Sequence, residues 1–199
     1  MNVWDSWLQD NKERAKRRAT APAIAWGAGW TWPVAPVRFS DGKTYSPVVS
    51  NAFKAGPHYG VDVMFRRRAP SDRLELYPHG KNGTPGFFAP PGTPIVAAKA
   101  GRVYSVAETA RGWHVVLDHG KPFATFYQHL ERVTATVKSG AVVKAGDQLG
   151  TMGGSPARPP HLRHLHFAVW YKGAGDKAAI DSEKAMQSWG YAPAWDVPA

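Results

Sequence analysis

The chain has no cysteine among its 199 residues, so a disulfide framework and every thiolate metal site are excluded, and a metal would have to bind through histidine and carboxylate. Negative charge is scarce as well. Fifteen Asp and Glu face 25 Lys and Arg, a formal net charge of +10. Such a field favours adsorption to polyanions, whether an anionic cell wall or a nucleic acid, without choosing between them. No DNA- or RNA-binding motif accompanies the charge, so specific nucleic-acid recognition is not expected. No apolar run approaches the roughly 20 residues that a membrane-spanning helix needs. The opening MNVWDSWLQDNKERAKRRATAP lacks the uninterrupted apolar segment of a secretory signal. Internal repeats and low-complexity tracts are also missing.

What is present describes a folded protein with extensions. Hydrophobic residues at 43% and charged residues at 20% are ordinary values, and the length suits one domain with a real core. Residues 1–31 form a basic, tryptophan-containing extension. Trp4, Trp7 and Leu8 fall at helical spacing there, before the basic run Lys12 to Arg18, and Trp26 and Trp30 lead into the next region. From 32 to 172 short alternating or β-branched runs are separated by Gly and Pro, which predicts a mainly β, antiparallel domain. PIVAAK, GRVYSVAE, GWHVVLDH, FATFYQHL, RVTATVK and HLHFAVW are the expected strands. A long link at 66–91, with Arg66, Arg67 and Arg68 at its start, reads as an insertion loop on that domain. Residues 173–199 are a more polar tail expected to pack on the domain, with a helix predicted over Asp176 to Trp189 and Gly190 as its stop.

Five residues carry the chemistry: His58 and Asp62 in GPHYGVD, His129 in FYQHL, and His164 and His166 in RHLHF. Side chains alternate along a strand, so His164 and His166 should share a wall. Gly60 and the β-branched Val61 and Val63 disfavour a helix after His58, which places Asp62 on a strand opposite two buried valines. The same alternation in FATFYQHL puts Thr125, Tyr127 and His129 on one face. Three ligands of type His, Asp and His would leave one tetrahedral position of a zinc ion open, as in catalytic rather than structural sites. Two further histidines would then remain for proton chemistry. With eight histidines in the chain, an isolated HxH or HxxxD means little; their joint appearance with YxHL is what points to a metal site. His79, His114, His119 and His161 are read as structural or surface residues, with a place in the groove as the alternative for His161.

GPHYGVDV, PPGTPIVAAKAGRV, HVVLDHG, TFYQHL, VKAGDQLGTMG and HLHFAVW follow one another in the order seen in the lysostaphin-like (LytM-type) zinc metallo-endopeptidases. Between Trp32 and Trp170 the chain resembles that family of peptidoglycan hydrolases. The resemblance implies a compact antiparallel β-sheet peptidase domain with a narrow groove over one zinc ion. It implies that His58, Asp62 and His166 bind the metal and that His129 and His164 are the catalytic pair. A tyrosine, Tyr59 or Tyr127, is a candidate to support the oxyanion that develops during hydrolysis. The implied substrate is a peptide bond in the stem or cross-bridge peptides of peptidoglycan, with anionic wall polymers as further partners.

Such an enzyme acts in the cell wall or periplasm. With no signal peptide in this chain, the expected route is association with a phage particle or delivery complex, contacted through residues 1–31, or release by lysis. The alternative is a catalytically latent wall-binding or virion structural module on the same fold.

Overall fold

The computed structural model describes residues 28–38, 42–54, 56, 58–66, 87–90, 92–154 and 163–189. The expected N-terminal helix, Trp26, His79, His161, Arg67, Arg68, most of the 66–91 link and the last ten residues lie outside them.

Among the described residues there are twelve strands: β1 Val37–Arg38, β2 Thr44–Tyr45, β3 Pro47–Asn51, β4 Val61–Arg66, β5 Phe87–Phe88, β6 Pro94–Val96, β7 Gly101–Thr109, β8 Gly112–Asp118, β9 Phe123–Val133, β10 Val142–Val143, β11 Gln148–Met152 and β12 Leu165–Tyr171. Strands β1 and β2 form a separate ribbon. The main sheet runs β10-β7-β8-β9-β12-β4-β3, with β5 on β4 and with β11 bridging β9 and β6. Every strand pairing is antiparallel, so the mainly β architecture expected from the sequence is found.

One face of the sheet is the core. Val61, Val63 and Phe65 of β4, Val115 and Leu117 of β8, Tyr127 of β9, and Leu165, Phe167 and Val169 of β12 are all buried there. This is the period-two pattern of a half-buried sheet, in which successive residues alternate between faces. Trp30 and Trp32 close one side of the core, where large aromatic rings bury the most area. The opposite face carries a smaller cluster of Val116, Ala168 and Trp170, joined by Phe126 and capped by Ala178 and Ala179.

Two elements differ from the sequence-based expectation. RVTATVK is not a strand of its own: β9 runs on to Val133, and the chain then turns, with Val137 N–H donating to the Thr134 carbonyl. The helix expected over Asp176 to Trp189 is split. A 3-10 turn at Asp176–Ala178 comes first, Ala179 then pairs with Trp170, and helix α1 spans Ser182–Ser188. Asp181 is its N-cap, accepting a hydrogen bond from Lys184 N–H, so the better cap five residues downstream wins over Asp176. The helix buries Ala185 and Met186, and Trp189 stacks on Trp30 at 4.6 Å.

A buried polar chain ties β8, β9 and the loop after β6 together. Ala98 N–H donates to Tyr127 Oη at 2.8 Å, Tyr127 Oη and Thr125 Oγ1 lie 3.0 Å apart, and Thr125 Oγ1 lies 2.7 Å from His119 Nε2. His119 Nδ1 lies 2.9 Å from the Ala100 carbonyl, to which only an N–H can donate. A neutral His119 therefore accepts at Nε2, and both hydroxyl protons can run one way along the chain. Protonating His119 would reverse them and leave the Tyr127 proton without an acceptor.

Burial holds the His119 pKa below its ordinary 6.5, with the hydrogen bond to Ala100 opposing and the Lys99 charge assisting. Since the folded value lies below the unfolded one, this group's stabilisation is complete above pH 6.5 and is lost as pH falls toward the folded pKa. We expect His119→Gln to be less stable at pH 7.5 and to lose stability less steeply between pH 7.5 and 5.5, in urea titrations run across roughly that range. Equal slopes for variant and parent would refute the assignment.

Candidate metal centre and groove

The outer face of the sheet carries a polar row. Asn51 pairs with Asp62, Asp62 with His166, His166 with Gln128, and Gln128 with His114, one residue each from β3, β4, β12, β9 and β8. Alternation predicts Asp62 on this face, because Val61 and Val63 are buried on the other. His58 enters from the preceding loop, held by a two-way backbone bridge to Lys54 with both N···O distances 2.9 Å. Gly60 lets the chain pass against β12: a Cβ there would lie 2.6 Å from the Phe167 carbonyl oxygen and 2.8 Å from the His166 ring.

His58, Asp62 and His166 converge. His58 Nε2 is 3.0 Å from Asp62 Oδ1, His166 Nδ1 is 3.1 Å from His58 Nε2, and His166 Nδ1 is 3.2 Å from Asp62 Oδ1. The three donor atoms thus form a nearly equilateral triangle. Tetrahedral zinc with bonds of about 2.0–2.1 Å requires donor separations of about 3.3–3.4 Å, so this triangle fits one face of such a tetrahedron. The donor chemistry agrees. His58 Nδ1 donates to the Ala52 carbonyl at 3.0 Å, which leaves Nε2 with its lone pair toward the triangle. Burial alone would raise the Asp62 pKa. The hydrogen bond to His166, the nearby His164 and His58, and the Asn51 amide outweigh it and hold the carboxyl well below the usual range, so it is ionised. Two imidazoles and one carboxylate could hold a divalent metal here.

Beside the triangle lie His129 and His164, their ring centroids 4.6 Å apart, with His164 Nε2 3.8 Å from Asp62 Oδ1. His164 precedes β12 rather than opening it, yet it shares a wall with His166 as expected. Gly153 links the two histidine segments: its N–H donates to the His129 carbonyl at 2.8 Å and its carbonyl accepts from His164 N–H at 3.0 Å.

His129 is not on the face that alternation assigns to it. Thr125 and Tyr127 point into the core, and a regular strand would send His129 after them. Instead the β8–β9 ladder pairs His114 with Gln128 and Trp113 with Leu130, which makes His129 the extra residue of a bulge. Its φ of 69° is left-handed, uncommon for a non-glycine residue, and this turns the imidazole out into the groove while Leu130 resumes the core face. His129 Nδ1 donates to the Arg111 carbonyl at 2.7 Å, at the tip of the β7–β8 hairpin, so Nε2 is the free acceptor. Gly112 makes this contact possible, having φ 88° and room for a Cβ only 3.0 Å from the Leu130 carbonyl. Burial pushes the His129 pKa down to about 4, with the Arg111 hydrogen bond opposing and His164 and His166 assisting. The ring is therefore neutral at neutral pH and able to accept a proton.

All five sequence-predicted residues line one open cleft of about 700 Å³. Tyr59 lines it too. Tyr127 does not: it lies beneath the sheet, fully buried, with its hydroxyl hydrogen-bonded to Ala98 N–H, so it has no access to a substrate. Asn51, Arg111, Gln128 and Asp176 also line the cleft, and the sequence patterns single out none of them. The first becomes visible only through a strand bulge and the second only through a backbone carbonyl.

An antiparallel sheet bearing a His-Asp-His triangle and a second histidine pair in an open cleft has the architecture of a metallopeptidase. Residues 81–180 match the model of peptidase family M23, and the chain belongs to that family. That span includes His129, His164 and His166; His58 and Asp62 lie before it, and their assignment rests on the geometry above. Curated relatives include the lipoprotein YgeR of Escherichia coli, 36% identical over 57% of this chain and 43% of its own length. Another is the peptidoglycan DD-endopeptidase ShyA of Vibrio cholerae, 31% identical over 67% of this chain and 31% of its own. The chain thus spans less than half the length of these relatives. Among solved structures, lysostaphin from Staphylococcus simulans superposes with a TM-score of 0.52 at 22% identity, over 78% of this chain and 54% of that one. A SpoIIIAH–SpoIIQ complex does so at 0.51 and 18% identity, over 79% and 99%. Both likenesses are likenesses of fold.

Proposed function

We propose that this protein is a zinc-dependent endopeptidase that hydrolyses peptide bonds in peptidoglycan stem or cross-bridge peptides. The observation that carries this reading is the His58–Asp62–His166 triangle, sized for zinc, with His129 and His164 beside it in one cleft. Membership of peptidase family M23 and the likeness to a peptidoglycan DD-endopeptidase supply the substrate class.

A zinc ion held by His58, Asp62 and His166 would supply a Lewis acid for the scissile carbonyl and a water acidic enough to ionise near neutral pH. The remaining work falls to side chains. His129, neutral and fixed through Nδ1, offers Nε2 as a proton acceptor. The proton that His129 takes is the one returned to the leaving amine, by His129 itself or passed through the adjacent His164, and general acid–base groups of this kind contribute about 10²–10⁴-fold. The net charge of +10 supports retention on anionic wall polymers. Among the described residues no helix is long and apolar enough to cross a membrane. The likeness to a peptidoglycan DD-endopeptidase supports a site of action in the cell wall or periplasm.

Digestion of purified peptidoglycan tests the proposal. We expect soluble fragments with a new amine and a new carboxyl end, identified by mass spectrometry, and none when a chelator has removed the metal. Release that persists undiminished without metal would refute the zinc-dependent mechanism.

A further inference from the structure

Asp62 has two carboxylate oxygens, and only Oδ1 belongs to the metal-binding triangle. Oδ2 is taken. Asn51 Nδ2 lies 3.0 Å from it, and since an ionised carboxylate only accepts, the amide must present its NH₂. The contact depends on an irregularity in β3. Val49 pairs with Val63, so in a regular antiparallel ladder Ser50 would pair with Asp62 and Asn51 with Val61. The register shifts between Val49 and Asn51, and Asn51 becomes the partner of Asp62. Ser50 is not displaced from the contact: its hydroxyl donates to the Asp62 backbone carbonyl at 3.1 Å. Two adjacent residues of β3 thus grip one residue of β4, Ser50 at the main chain and Asn51 at the carboxylate.

We propose that Asn51 is a positioning residue that occupies Oδ2 of Asp62 so that the carboxylate meets the metal through Oδ1 alone. The inference rests on the metal-binding role proposed above for His58, Asp62 and His166. A carboxylate held at one oxygen cannot rotate about its Cβ–Cγ bond without breaking a charge-assisted hydrogen bond. It is also kept from chelating through both oxygens, which would consume the open coordination position that hydrolysis requires. Groups that orient metal ligands from behind in this way contribute about 10–100-fold to metal affinity.

The test is zinc affinity, measured by competition with a fluorescent chelator on the purified chain and its Asn51→Ala variant. The variant is expected to bind zinc about 10–100-fold more weakly, while both metal-free proteins still unfold in one cooperative transition, so that the loss is not a loss of folding. Cobalt(II) gives a second readout: the parent should show the intense visible absorption of a four-coordinate ion, and Asn51→Ala a weaker band as Asp62 becomes free to bind through both oxygens. If Asn51→Ala does not fold, Asn51→Ser, too short to reach Oδ2 but still polar, serves instead with the same expectation. Zinc affinity within twofold of the parent and an unchanged cobalt spectrum would overturn the role of Asn51. A parent protein that binds neither metal would instead overturn the metal site itself.

Discussion

Replacing His166 by alanine is expected to strip the protein of metal, from one zinc per chain to almost none after dialysis, and to abolish turnover. The size of the effect follows from geometry. His166 Nδ1 is one vertex of a triangle whose sides are 3.0, 3.1 and 3.2 Å, and removing it leaves only His58 and Asp62, too few to hold zinc against buffer ligands. In the metal-free protein Asp62, ionised in the wall of the cleft, would also lose its contact with His166. Elemental analysis of the dialysed variant and a thermal scan with added zinc read the outcome. The parent should melt at a higher temperature as zinc is added, because a ligand bound only by the folded state stabilises it, and the variant should not. A variant that keeps a full equivalent of zinc would show that the metal is held elsewhere.

The second large effect is expected at His129, where metal and turnover should separate. His129→Ala should retain one zinc per chain and lose activity by about 10²–10⁴-fold, the contribution of a positioned acid–base group. The backbone adds an independent check. His129 sits at φ 69°, where an L side chain costs about 1–2 kcal/mol and glycine costs nothing. His129→Gly should therefore be as inactive as His129→Ala but more stable than it, by about 1 kcal/mol in urea unfolding. A fully active His129→Ala protein would remove His129 from the mechanism. Glycine no more stable than alanine would mean that the bulge carries no strain.

The five residues proposed to bear the chemistry were legible in the sequence as candidates, because zinc and proton transfer demand particular side chains. His58 and Asp62 straddle a glycine, His164 and His166 flank Leu165 on one wall, and His129 lies in YxHL; all five line the same cleft. Strand positions were legible for a similar reason: apolar and β-branched residues at every second position, such as Val61, Val63 and Phe65 or Leu165, Phe167 and Val169, are the ones buried in the core. The bulges at Asn51 and His129 left no such pattern. A bulge adds one residue to one strand, and from that point period-two reasoning assigns the wrong face. That is why alternation placed His129 with Thr125 and Tyr127, which are buried, and why it offered no reason to notice Asn51. The Tyr127 hydroxyl was misread for a related reason, since the sequence does not show that Ala98 and Thr125 supply its partners beneath the sheet. Arg111 acts through its carbonyl, which every residue possesses, so no side-chain motif could mark it.

The helix after β12 shows competition between local signals. Asp176 and Asp181 are both suitable caps, and the pairing of Ala179 with Trp170 extends the chain between them, leaving the helix to start at the second. The 3-10 turn that remains is not idle, for it brings Asp176 to the groove wall and sets Ala178 and Ala179 over the outer cluster around Trp170.

In the mechanism proposed above, one zinc ion bound by His58, Asp62 and His166 makes this groove a peptidoglycan endopeptidase. The most direct measurement adds zinc back to metal-free protein in steps and follows, by mass spectrometry, the release of new amine ends from purified peptidoglycan. The account predicts no cleavage without metal and a rate that rises linearly to a plateau at one zinc per chain. Protein shown to hold one zinc at this site, yet releasing nothing from any wall type, would contradict it and leave a wall-binding module with the fold of a peptidase.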